Sequence, residues 1–204
     1  MPRLLDNPRP TLLAAAERLL KRYGYRRMTV DDLAREAGIG KGTVYLHFDS
    51  KEEVALAVVN LWSERVFARL RQIAGEARPP ATRLLRLLEA RVLGRFDQLG
   101  DAPESLHDML AAIRPALLIQ REQLLDAEAR IFAEVLREIA PAARRSEPVL
   151  FRMARALLTG TNWLLPYYQD PSQRSSRAAV RRQTRDVAVL LVSGAKQVLR
   201  KGNQ

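Results

Sequence analysis

Residues 29–54, Thr-Val-Asp-Asp-Leu-Ala-Arg-Glu-Ala-Gly-Ile-Gly-Lys-Gly-Thr-Val-Tyr-Leu-His-Phe-Asp-Ser-Lys-Glu-Glu-Val, constrain the fold more than any other part of this chain. Thr29 and Asp32 have the spacing of a capping box, so a helix begins near Val30. Val30, Leu33, Ala34 and Ala37 recur at helical spacing on one apolar stripe, and Gly38 supplies the residue that takes a left-handed backbone at a helix end. Ile39 then plugs the turn. Gly40-Lys41-Gly42-Thr43 opens a second helix without bulky side chains at two of its first positions, where a backbone can approach phosphate closely. Val44 and Phe48, four apart, face inward, which turns Lys41, Thr43, Tyr45 and His47 outward. Ser50 and Glu53 form a second capping box ahead of a long helix that carries Lys51 in its first turn.

This ordered combination resembles the DNA-binding signature of TetR-type transcription regulators, including the Ala37-Gly38 turn, Gly42, Tyr45, the His47-Phe48 pair and Lys51-Glu52. The resemblance spans residues 10–56. It implies a homodimer that binds double-stranded operator DNA through Arg27, Thr29, Gly40, Lys41, Gly42, Thr43, Tyr45, His47 and Lys51, and that lets go when a small molecule enters a second domain. Gly40 stands where the family often has a capping serine, so a backbone-only helix start is expected. Lys41 and Lys51 are expected on phosphates, and Thr43 and Tyr45 near base edges or sugar.

The fold expected is all-α. An N-terminal three-helix helix-turn-helix domain (residues 1–56) precedes a helical ligand-binding and dimerisation domain (residues 57–204). Asn7 is placed to cap a first helix whose apolar face carries Leu12, Ala15, Ala16, Leu19, Leu20 and Tyr23 before Gly24 ends it. Further helices are expected at 51–74, 82–98, 104–109, 111–139, 148–167 and 177–199. No stretch alternates with a two-residue period, which excludes a sheet.

Charge argues less than its total suggests. The chain of 204 residues carries +11, but residues 1–56 hold ten basic against eight acidic side chains, and the other 148 residues hold the remaining +9. Only five of the 34 basic residues are lysines, which makes Lys41 and Lys51 conspicuous as compact point charges. The absence of cysteine excludes disulfides and thiolate metal sites. Two histidines, one of them inside the motif, and no metal-ligand or paired-carboxylate pattern argue against an enzyme. His47 and Asp49 flank Phe48 and point apart on a helix end, so they make no catalytic couple. No cofactor, metal or membrane contact is implied, and the lack of a signal-peptide core or bilayer-length apolar run suggests a cytoplasmic protein.

Two features of the second domain carry further expectations. Pro115 falls inside a helical pattern and should kink it. In TetR-like proteins that layer encloses the effector, which makes Phe96, His107, Met109, Arg114, Trp163 and Tyr167 the candidate lining of a mainly apolar pocket, with Arg114 as an anchor for an anionic group. The run from Gly160 to Tyr168, with Asn162, Trp163 and the closing pair Tyr167-Tyr168, is similar to a stretch near the end of the eighth helix in some members that respond to acyl-CoA-like or other apolar ligands, with Pro166 as a departure from it. Ala156 and Gly160 together with Val187, Leu191, Gly194 and Val198 are expected to form a dimer's four-helix bundle. A helical apolar-ligand carrier, or an activator with the same DNA-binding domain, is the alternative.

Overall fold

The computed structural model describes residues 7–98, 103–140, 146–166 and 175–201, and these are helical with no strand among them. Among the described residues the helices are, in chain order, α1 (Arg9–Arg27), α2 (Val30–Ala37), α3 (Lys41–Tyr45), α4 (Lys51–Ala74), α5 (Pro80–Gln98), α6 (Pro103–Ile139), α7 (Glu147–Gly160) and α8 (Arg177–Lys201), with a 3₁₀ turn at Asn162–Leu164. The chain divides into two compact units. The first comprises 1–63 and 99–119, and the second 64–98 and 120–204, so α4 and α6 each contribute to both.

In the first unit α1 buries Leu12, Ala15, Ala16, Leu19 and Leu20 against Leu33 and Ala34 of α2, Val44 of α3, Phe48, and Val54 and Val58 of α4. Met109 and Ile113 of α6 complete that core. Fully burying a side chain of this size contributes about 1.5–3 kcal/mol, so the short α2 and α3 persist through their packing. Trp62 Nε1 donates to Glu17 Oε1 at 3.1 Å, and Lys21 Nζ holds the same carboxylate oxygen at 3.0 Å, which fastens α4 to α1.

Gly24 does more than end a helix. Its backbone lies at φ 78° and ψ 169°, a region that only glycine enters freely, and the chain resumes helical hydrogen bonding after it. That turn resets the helical phase. Tyr23, expected on the apolar face, is exposed, and Tyr25 is buried in its place. Asn7 does engage the start of α1, its Oδ1 accepting from Arg9 N at 3.1 Å, although Pro8 is the capping residue.

The second unit is built on Leu84, Leu87 and Leu88 of α5, Phe132 and Leu136 of α6, Leu150, Ala154 and Leu158 of α7, and Ala188, Val192, Ala195 and Leu199 of α8. Arg177 pairs with Asp97, and Arg181 with Glu89, along the α5–α8 seam. Two expectations are corrected here. The separate helices at 104–109 and 111–139 are one helix, because Met109-Leu110-Ala111-Ala112 contains no residue that interrupts it and Pro115 is accommodated inside. The helix expected to reach residue 167 stops at Gly160, ahead of an extended Leu165 that precedes Pro166 and beside tertiary bonds onto Leu158, Thr161 and Asn162.

Those bonds come from a buried ionic cluster. Arg91 Nε donates to Glu128 Oε2 at 2.8 Å, and Arg95 binds the other carboxylate oxygen. Arg91 also donates to Thr161 Oγ1 at 3.0 Å, to Asn162 Oδ1 at 2.7 Å and to the Leu158 carbonyl at 3.3 Å. Burial raises the pKa of the Glu128 carboxyl, but the two guanidiniums outweigh it and hold the group below its ordinary value. One arginine of α5 thus binds the end of α7 to α6.

Candidate nucleic-acid interface

The helix pair is assembled from local signals that hold in three dimensions. Thr29 Oγ1 accepts from Asp32 N at 3.1 Å, and Asp32 Oδ2 accepts from Thr29 N at 3.3 Å, closing the capping box. The hydrogen bond from Thr29 keeps the Asp32 carboxyl below its ordinary pKa. Gly38 has φ 68° and ψ 30°, the left-handed conformation that lets α2 stop and the chain reverse. Gly40 then begins α3 with an extended backbone and no side-chain cap, as its missing hydroxyl requires.

α3 presents two faces. Val44 and Phe48 are buried in the core of the first unit, and Lys41, Gly42 and Tyr45 are exposed, with Thr43 and His47 half-buried beside them. A Cβ built on Gly42 would meet nothing within 4 Å, so no atom of the protein itself requires glycine there. Leu46 was passed over in the sequence reading. It is 83% exposed at the end of α3, an unusual position for leucine beside groups that form hydrogen bonds. The signal available was its place between Tyr45 and His47, outside the four-residue step from Val44 to Phe48.

The basic groups are held in different ways. Lys41 Nζ lies 2.8 Å from Asp31 Oδ1, and the hydrogen bond to that carboxylate raises the lysine's pKa. Lys51 Nζ donates to the Arg26 carbonyl at 3.2 Å and sits 4.3 Å from the centre of the Tyr25 ring. Arg26 pairs with Asp108 of α6 at 2.7 Å, and Arg27 is exposed. Arg9 lies over the Phe48 ring at 4.8 Å, with the His47 carbonyl 3.4 Å from its Nη1. Ser50 Oγ accepts from Glu53 N at 3.1 Å, and Glu53 reaches back to Asp49 N at 2.7 Å, so the second box closes one residue earlier than its spacing suggests.

With that geometry in place, residues 12–58 match the family model for bacterial regulatory proteins of the tetR family. That segment is similar to the DNA-binding part of the tetR family. The chain is 36% identical over 86 residues to the HTH-type transcriptional repressor KstR2 of Mycobacterium tuberculosis, a match that covers 42% of this chain and 43% of that protein. It is also 24% identical over 154 residues to the fatty acid metabolism regulator protein of Bacillus subtilis, covering 74% and 77% of the two chains. The chain spans less than half the length of the curated relatives that it matches above 30% identity. In fold it is similar to a transcriptional regulator from Cytophaga hutchinsonii, with a TM-score of 0.72 at 18% identity over 93% of this chain and 98% of that one.

The residues expected to line an effector pocket fall in both units. Met109 is a core side chain of the first unit, Phe96 packs against Val92, Leu93, Leu164, Leu165 and Val180 in the second, and Arg114 and Trp163 are exposed. The side chain of His107 and the whole of Tyr167 lie outside the described residues. Of the expected dimer residues, Gly160 and Leu191 meet within one chain. Ala156, Gly194 and Val198 are exposed, and Val187 is half-buried.

Proposed function

We propose that this protein is a TetR-family, sequence-specific DNA-binding transcriptional regulator, acting as a homodimeric repressor that a small, mainly apolar ligand releases. The observation that carries the DNA-binding reading is the two-faced α3. Its apolar side is locked into the core by Val44 and Phe48, and its other side offers Lys41, Thr43, Tyr45 and Leu46 next to Lys51 at the start of α4. That arrangement suits a major groove. Lysines position the protein on phosphates, hydroxyls meet base edges or sugar, and an exposed leucine suits a thymine methyl.

The dimer reading rests on α8. Its inward stripe of Val180, Thr184, Ala188, Val192, Ala195 and Leu199 is buried within its own unit, while Leu190, 74% exposed, and Val198 form an outward apolar stripe beside Gly194. Val187, Leu191, Gly194 and Val198 follow a 4-3-4 spacing that suits helix pairing. Two reading heads on one dimer address two half-sites, and a ligand that prefers one spacing of the heads shifts the population away from the DNA-bound one. The B. subtilis relative named for fatty acid metabolism makes acyl chains the first ligand class to try.

Gel-shift binding to the DNA beside the protein's own gene, followed by addition of acyl-CoA thioesters and free fatty acids, tests the whole reading. A specific complex dissolved by one of these ligands is the expected result. No complex with any segment of that DNA overturns the autoregulatory repressor. A complex that persists with every acyl compound overturns the ligand class.

A further inference from the structure

Lys51 and Lys41 differ in what holds them. The Lys41 ammonium rests on a carboxylate, whereas Lys51 meets a ring face at 4.3 Å and a backbone carbonyl at 3.2 Å, both uncharged. The ring belongs to Tyr25, which is buried because Gly24 turns the chain at φ 78° immediately before it. Its hydroxyl donates to Glu52 Oε1 at 2.8 Å, which fixes the ring and engages the acidic neighbour of Lys51. The hydrogen bond from Tyr25 holds the Glu52 carboxyl below its usual pKa, so it stays anionic and bound to the hydroxyl at neutral pH.

We propose that Tyr25 is a positioning residue for DNA binding, its ring face pre-orienting the Lys51 ammonium for a phosphate oxygen. This rests on the reading of Lys51 as a phosphate contact. An ammonium has three hydrogens, and the Arg26 carbonyl accepts only one of them. The ring attracts the cation through its quadrupole without neutralising it, and the Glu52 carboxylate is engaged by the Tyr25 hydroxyl, so an arriving phosphate has no carboxylate hydrogen bond to this lysine to displace. A long flexible side chain is thereby ordered before DNA arrives, which lowers the entropic cost of the contact.

The test compares four full-length proteins by the salt dependence of binding to a mixed-sequence duplex: wild type, Tyr25→Phe, the protein with pentafluorophenylalanine at position 25, and Lys51→Ala. The last three are checked for folding by thermal unfolding. Phenylalanine and its fluorinated form both lack the hydroxyl and are nearly the same size, so their difference isolates the electron-rich ring face. Lys51→Ala is expected to reduce the slope of log K against log salt by about 0.9 per head. Tyr25→Phe should keep the wild-type slope. The fluorinated protein should move toward Lys51→Ala and bind roughly two- to fivefold more weakly than Tyr25→Phe. If the two ring variants bind alike, the ring does not position Lys51 and the inference falls while the phosphate contact stands. If Lys51→Ala leaves the slope unchanged, the phosphate reading falls and takes the inference with it.

Discussion

Gly160 and Leu191 meet inside one chain: a Cβ placed on Gly160 would lie 2.9 Å from Leu191 Cδ1 and 3.2 Å from its Cδ2. α7 and α8 therefore pack closely at this point without a second copy. Gly160→Leu is expected to overpack the seam and to cost roughly 1–3 kcal/mol. The check is urea unfolding at several protein concentrations. The loss should be present at every concentration, because it arises within the fold, and a loss confined to low concentration would place the glycine at a subunit contact instead.

The proposed dimer is better probed at Leu190, which is 74% exposed. Leu190→Asp leaves the buried face of α8 untouched and puts a charge where the outward stripe would meet its partner. Light scattering should then report monomer, with thermal stability at low concentration close to that of the wild-type chain. A Leu190→Asp protein that remains dimeric places the interface elsewhere.

The Arg91–Glu128–Arg95 cluster sets the third expectation. Removing one partner of a buried ion pair typically costs about 3–5 kcal/mol, because the other charge stays buried without it. Glu128→Ala should approach that range, with Glu128→Gln intermediate since it keeps an acceptor. The Glu128 carboxyl has a folded pKa below its ordinary value of 4.5, so the unfolded chain binds the proton more readily. Its contribution is thus fully present above pH 4.5 and is lost as the pH falls through the folded value. Urea midpoints of wild type and Glu128→Gln should therefore converge below that pH. Parallel curves would show that Glu128 is not the titrating group.

What the sequence made legible was local. The Thr29–Asp32 box, the left-handed Gly38 and the four-residue step from Val44 to Phe48 each depend on neighbours within a few positions, and all three are present. Tyr25 was missed because helical periodicity was continued through Gly24, whose backbone breaks the phase. The early end of α7 was missed because the helical pattern was continued through Pro166, before which Leu165 is extended, and because the bonds from Arg91 to Thr161 and Asn162 come from about seventy residues away. The Asn162 amide, one of the residues that carried the likeness to a ligand-responsive stretch, is an acceptor for that arginine.

Gly42 offers a test with opposite signs. It stands in the first turn of α3 with open space where a Cβ would go, so Gly42→Ala should stabilise the chain by up to about 0.5–1 kcal/mol through helix propensity. If α3 approaches DNA backbone closely at this point, the same methyl should weaken binding. A rise in melting temperature together with a fall in affinity is the expected pair of results. Unchanged affinity would place the DNA farther from Gly42.

Asp31 holds Lys41 in the free protein, with Nζ 2.8 Å from one carboxylate oxygen and 3.0 Å from the other. A phosphate bound at Lys41, as proposed, would compete with that carboxylate for the ammonium and would meet the negative charge of Asp31 itself. Asp31→Asn removes both obstacles while keeping the side chain's shape. Affinity for all duplexes should rise, and the salt slope should steepen by up to about 0.9 per head as a new phosphate contact becomes complete. The ranking of sequences should stay as it was, since phosphate contacts carry no base information. Fluorescence anisotropy across a potassium chloride series measures slope and ranking together. A fall in affinity would reverse the assignment, making Asp31 the residue that aims Lys41 at the DNA rather than the one that withholds it.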